Sequence, residues 1–304
     1  MMLSEFQTTT HGKWILAGEH AVIRGHGALV YPIIEKKLTL TYTPDTAELH
    51  ADYAGDSGAD MHLLFWSVLE QGMNLLETSL NRLYGRFHLY SNIPVGVGLG
   101  ASAALCVAMA RWFTAQHLLA TDQTQSFARE LEHLFHGKSS GLDIAGVAAS
   151  TGQYFQQGQI TPIQQNWQPK WYLSSCGQIG MTSHCIQKVQ ELWDHHRTHA
   201  EYLDNIMSDS VNLAQKALQD KHEPTAIQTL ATAINQAGHC FAEWGLISES
   251  LQHHIQALKS NGAIAVKPTG SGGGGFVVSL WQQTPPNMEM ELITLQSGNK
   301  PHPL

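Results

Sequence analysis

The chain has 304 residues, 14% of them charged, and a formal net charge of -8. That length allows two domains, or one large one, each with a real core. The acidic balance and the lack of any Lys/Arg cluster exclude a nucleic-acid surface, and no stretch approaches the roughly 20 apolar residues of a membrane span. The opening "MMLSEFQTTTHGK" has no charged-then-apolar layout of a signal peptide, so a soluble, cytoplasmic protein is expected.

In chain order, "KWILAGEHAVI" and "GALVYPIIEKKLTLTYTP" read as strands, being rich in β-branched and aromatic residues with turn signals at Gly25 and Gly27. Residues 44–60 carry five acids and no Lys or Arg among glycines and a proline, and read as a solvated loop or edge. Helical periodicity over 61–80 and a strand over 86–94 follow. A helix is expected over about 101–119 and an amphipathic one around 124–135, leading into the glycine-punctuated "HGKSSGLDIAGVAASTGQYF". Residues 160–175 look extended, long helices cover 183–218 and 224–260, and "AIAVKPTGSGGGGFVVSLW" reads strand, glycines, strand. No period of 20 to 50 residues repeats.

Four widely spaced cysteines, Cys106, Cys176, Cys185 and Cys240, contain no CxxC pair and read as buried thiols rather than a disulfide framework or zinc site. Among eighteen histidines, His133 and His136 in "EHLFH" lie on adjacent turns, but the spacing is not HExxH, and surface or packing roles are expected.

Two glycine-rich segments call for explanation. "NIPVGVGLGASAALCVAMAR" turns from an extended stretch into a helix through Gly96, Gly98 and Gly100. Such a turn exposes the unpaired N–H groups of the helix start, which favours an anion such as phosphate; a plain tight turn before a buried helix fits equally. Neither the Walker ending nor the dinucleotide fingerprint is met, because Gly100 is followed by Ala101 and Ser102, and Ala103 stands where a third glycine would fall. Four consecutive glycines, Gly272 to Gly275, are costly to order and imply something close to that backbone, with a flexible hairpin as the alternative. Considered singly, Asp143 reads as a helix N-cap or a base, Lys13 as a surface charge or an electrostatic partner, and Glu132 as a solvated helix position.

Together, "GKWILAGEHAVIRG" (12–25), "PVGVGLGASAA" (94–104) and "KPTGSGGGG" (267–275) resemble, in order, the three motifs of the GHMP small-molecule kinases. Within that family the wording of Gly18 to Val22 and of "HGKSSGLD" is most similar to that of the mevalonate kinases. The resemblance spans nearly the whole chain and implies an α+β, two-domain fold. It places an N-terminal α/β domain over 1–157, a C-terminal helix-plus-sheet domain over 158–304, and the active site in the cleft between them. It implies ATP-dependent phosphorylation of the primary hydroxyl of mevalonate, with Asp143 as base and Lys13 as its partner, and Mg²⁺ held by Ser102 and Glu132, eleven positions before Asp143. Pro94, Gly96, Gly98, Leu99, Gly100, Ala101, Ser102 and Ala103 would wrap the triphosphate.

On the acceptor side the resemblance implies His20 as a donor to a substrate oxygen, Glu19 linked to Lys13 or to the phosphate side, and Thr182, Thr269 and Gly270 shaping the site. It also implies a homodimer. Three departures stand out: Thr10-His11 where a proline is usual, Ala101 for a serine of the loop, and Gly146 for a valine; the lost hydroxyl at Ala101 implies at most altered nucleotide affinity. The motif cations are few, Lys13, Lys138 and Lys267, which favours an uncharged alcohol bearing one carboxylate over a phosphorylated acceptor. The alternatives are another kinase of the family, acting on phosphomevalonate or a sugar, and a ligand-binding relative without turnover.

Overall fold

The computed structural model describes residues 3–136 and 139–296. The chain forms two compact units, one of Met1–Lys13 with Pro32–Ser150, the other of Trp14–Tyr31 with Thr151–Leu304. It passes from the first to the second within strand β1 (Phe6–Ala17) and returns within β2 (Ala28–Glu48).

In the first unit, β2 pairs antiparallel with β4 (Tyr84–Ser91), from Leu38 opposite Ser91 to Thr43 opposite Arg86, before an irregularity shifts the register. β3 (His50–Ala54) runs parallel to β4 at the end of the strand order, so the acidic segment is an edge, as its polarity implies. β4 alternates buried and exposed residues, and its inward Phe87 meets Trp112, with ring centroids 4.9 Å apart. Trp112 belongs to α2 (Ala101–Ala115), whose small and apolar residues are buried nearly all round, as a helix in the middle of a core must be. α1 (Met61–Leu75), α3 (Thr124–His136) and α4 (Leu142–Ala148) complete this unit, all of them packing on α2.

The second unit contains a hairpin, β5 (Gln153–Gln156) and β6 (Gln159–Pro162), beside the first residues of β2. A four-stranded antiparallel sheet follows the order β10 (Ile293–Thr294), β7 (Lys170–Ser175), β9 (Phe276–Trp281), β8 (Ala265–Pro268). The expected helix over 183–218 is two helices, α5 (Thr182–His195) and α6 (Arg197–Gln219), broken at His196. The expected helix over 224–260 is likewise α7 (Glu223–Glu243) and α8 (Glu249–Ser260), separated by Gly245 at φ 67° and restarted by the Ser248 side chain, which accepts from Leu251 N–H. No helix among the described residues is long and apolar enough to cross a membrane.

Cys106, Cys185 and Cys240 are buried, but Cys176, at the end of β7, is only partly so. Residues 14–31 join the second unit because their partners are there: Trp14 stacks on Tyr31 at 5.0 Å and meets Trp171 edge-on at 5.0 Å. Trp171 is fully enclosed and donates its indole N–H to the Leu295 carbonyl at 3.1 Å. Trp171→Ala is therefore expected to cost about 3–5 kcal/mol in urea unfolding, with Trp171→Phe, which keeps an aromatic ring in the cluster, costing clearly less.

Candidate functional site

Three alternate loop glycines, Gly96, Gly98 and Gly100, take φ of 80°, 82° and 83°, a conformation L-residues avoid. At Gly96 and Gly98 an added Cβ would meet nothing, and both are exposed, so these positions need glycine for backbone direction and leave open space in front of the turn. At Gly100 a Cβ would lie 2.9 Å from Cγ of Lys13, so here it is close approach that requires glycine. Gly100 caps α2 without any side-chain hydrogen bond, so the first-turn amides of Ala101, Ser102 and Ala103 have no cap to satisfy them. Leu99 is buried and its carbonyl accepts Lys13 N–H at 2.9 Å, while Pro94 and Ser102 are half-buried.

The same unit brings Lys13, Asp143 and Glu132 together. Lys13 Nζ is 2.9 Å from Asp143 Oδ1, with the lysine buried and the carboxylate 31% exposed. The N-cap of α4 is Gly141 at φ 88°, so Asp143 stands in the first turn with its side chain free to meet Lys13. Glu132 is only 1% exposed, contrary to the solvated position its helix pattern implies. Ser139 donates its hydroxyl to Glu132 Oε2 and accepts Gly141 N–H at 3.0 Å, while Glu132 Oε1 is buried without a partner among the described residues. Burial, and next the charge of Asp143, push the Glu132 carboxyl up from its ordinary 4.5 to about 7, against the pull of Ser139 and Lys13. A buried oxygen without a donor is costly unless a cation or proton serves it.

The second unit holds the other predicted residues. Gly18 has φ 105°, and a Cβ there would lie 2.4 Å from Cα of Ala28, so the turn after β1 admits only glycine. Glu19 Oε1 accepts from Lys267 Nζ at 2.5 Å, and Lys267 is fully buried. Thr269 Oγ1 accepts Ile15 N–H at 2.7 Å and donates to the Ile15 carbonyl at 3.0 Å. His20 Nε2 donates to the Ser271 carbonyl at 2.9 Å, and burial lowers its imidazole to about 4, so the ring is neutral with its N–H already engaged. Thr182, at the start of α5, shares a hydrogen bond of 3.3 Å with Ser271, and Gly270 takes φ 86° between Thr269 and Ser271.

Several expectations are refined accordingly. Glu19 is paired with Lys267, and Lys267 is a buried counter-ion rather than a cation open to phosphate. The hydroxyl of Thr269 is spent on the backbone of Ile15 and the ring N–H of His20 on Ser271, so neither presents that donor outward here. Lys138 lies outside the described residues. Missed in the sequence was the bidentate pair of Arg24 with Asp204, at 2.5 and 2.6 Å; an Asp on the buried face of an otherwise apolar helical stripe was its only signal.

A model of the GHMP kinases N terminal domain matches residues 65–152. A mevalonate kinase of Thermococcus sibiricus is 27% identical over 300 residues, covering 88% of this chain and 86% of its own. One from Aeropyrum pernix is 26% identical over 304 residues, covering 94% and 92%. The fold is similar to that of the L. major mevalonate kinase in complex with R-mevalonate, with a TM-score of 0.75 at 20% identity over 93% of this chain and 91% of that one. The matched stretch takes in the glycine turn, Glu132 and Asp143, and the mevalonate kinases to which the chain is similar align with it over almost its whole length.

Proposed function

We propose that the chain is a mevalonate kinase, transferring the γ-phosphoryl group of ATP to the C5 primary hydroxyl of mevalonate and giving 5-phosphomevalonate for isoprenoid precursor synthesis. The observation that carries the chemistry is the 2.9 Å contact of Lys13 with Asp143 in the same unit as the buried, half-satisfied Glu132. A primary alcohol is a weak nucleophile at neutral pH. Asp143 takes its proton as the oxygen attacks phosphorus and the bond to the bridging oxygen of ADP breaks. Lys13, held by the Leu99 carbonyl through its backbone and packed against Gly100 through its stem, keeps Asp143 oriented and offers positive charge to the developing alkoxide. The uncapped start of α2, with Gly96, Gly98 and the segment Pro94 to Ala103 around it, receives the triphosphate.

Glu132 and Ser102 fit Mg²⁺: both offer hard oxygens, Glu132 Oε1 has no other partner, and magnesium keeps water and phosphate oxygens for its remaining positions. When bound, the ion supplies charge neutralisation on the transferring phosphoryl group. On the acceptor side, His20, Glu19, Thr182, Thr269 and Gly270 form and brace the recognition surface. Lys13 and Lys267 are each neutralised by a carboxylate, which suits a singly charged acceptor better than a phosphorylated one.

With Mg·ATP and mevalonate, Asp143→Asn should lower kcat by about 10²–10⁴, measured as ADP release, with phosphomevalonate and galactose giving no turnover in the parent. Turnover only with one of those acceptors would keep the chemistry and replace the substrate.

Glu132 gives a second test. Between pH 4.5 and about 7 the folded chain keeps a proton on this carboxyl that the unfolded chain has released, so its contribution to stability falls as pH rises through that window. Thermal melts should show that fall in the parent and lose it in Glu132→Gln. Mg·ATP must displace the proton, so its affinity should rise about tenfold per pH unit below 7 and level off above, a slope the variant lacks.

A further inference from the structure

We propose that the ion pair of Arg24 with Asp204 is a clasp that positions His20, making both positioning residues for acceptor binding; the kinetic consequence rests on the mevalonate kinase reading above. His20 stands at φ 59° and ψ -46°, a conformation an L-residue keeps only where its surroundings impose it. The turn that carries it is pinned at both ends to one helix. At the near end Gly18 N–H points to Met207 Sδ at 3.2 Å, and at the far end the guanidinium of Arg24 grips the Asp204 carboxylate. Asp204 and Met207 are three residues apart on α6 and so lie on one face of it.

Within this bracket His20 has its ring N–H on Ser271 and its ring against Trp244 at 5.0 Å and Phe241 at 6.1 Å. The pair is shielded as a geometric device would need to be. The Asp204 side chain is 2% exposed and Arg24 22%, with the guanidinium also lying 4.7 Å from the centre of the Trp193 ring. Two parallel bonds fix direction as well as distance, which a lysine cannot reproduce. A buried pair gives little net stability over an apolar replacement, so what Arg24 and Asp204 supply is a fixed place for the turn. Glu19 and its partner Lys267, Cys240, and His26 at 3.8 Å from Asp204 are further charged or titratable groups around this turn.

The test compares the full-length parent with Arg24→Met, Arg24→Lys and the double variant Arg24→Met with Asp204→Leu, which leaves no unpaired buried carboxylate. Arg24→Met should raise KM for mevalonate by about tenfold or more while KM for Mg·ATP stays within about twofold. Arg24→Lys should recover part of the loss, and the double variant should recover melting temperature but not KM. Independently of turnover, the ¹⁵N resonances of His20, assigned by their loss in His20→Gln, should report a neutral, Nε2-protonated ring at pH 6 in the parent. In Arg24→Met they should broaden or titrate toward the ordinary 6.5. Unchanged His20 resonances in a folded Arg24→Met overturn the clasp, as does a double variant that regains the parent's KM. If the parent does not turn over mevalonate, the acceptor reading fails, and the His20 resonances alone decide the clasp.

Discussion

The second unit is organised around a charge pair that water does not reach. Glu19 and Lys267, 248 positions apart in the chain, meet at 2.5 Å with 2% and 0% of their side chains exposed. Removing two ions from water costs several kcal/mol each, and only close geometry with further hydrogen bonds offsets it. Lys267 meets that demand with a bond to the Ile15 carbonyl at 3.3 Å and a place 5.2 Å from the centre of the Phe241 ring. Burial draws its ammonium down, and Glu19 draws it back up. With Thr269 clamping Ile15 through both N–H and carbonyl, the end of β1 and the strand β8 are locked together. The third glycine motif is thereby a bed for the first, and the turn bearing His20 inherits its position from it.

The first unit treats charge in the opposite way. Lys13 and Asp143 are matched, yet Asp143 keeps a third of its surface, and Glu132 is left with one oxygen unserved. The helix start at Gly100 is uncapped, and the glycines ahead of it face open space. A buried acceptor without a donor is a cost to the fold that a cation or proton can cancel. On the proposed reading, that cost and the capacity to bind a metal–triphosphate have one cause.

Much of this was legible in the residues, and what was not has physical reasons. The turn from β-branched residues to glycine and then alanine marked the start of α2, and the segment 263–281 marked two strands about a glycine run, because both signals are local. The break at His196 was hidden, since apolar spacing continues across it, whereas after Glu243 the same periodicity masked the stop signal at Gly245 and the cap at Ser248. The departure of residues 14–31 to the second unit could not be read at all, as it depends on Trp171, Lys267 and Thr269 more than a hundred residues away. Glu132 is the instructive case. Its helix is strongly amphipathic in pattern, and nothing local says that this one carboxylate faces inward; the resemblance singled it out, and Ser139 holds it there.

Substrate choice is a separate matter from fold, since one architecture serves many acceptors. On the proposed reading selectivity would come from the few polar groups near the first and third motifs, and most of those are already committed. Lys267 is neutralised by Glu19, Arg24 by Asp204 and Lys13 by Asp143. A phosphate on the acceptor would face cations already neutralised by carboxylates, and would be left with poorly compensated charge on burial. An alcohol with a single carboxylate avoids that penalty, and on the proposed reading a neutral imidazole held between Ser271, Phe241 and Trp244 would distinguish it by shape and by one ring nitrogen. Discrimination of this sort depends on tenths of an ångström, so on the proposed reading the rigidity of the His20 turn, and not the number of groups around it, would set how selective the site can be.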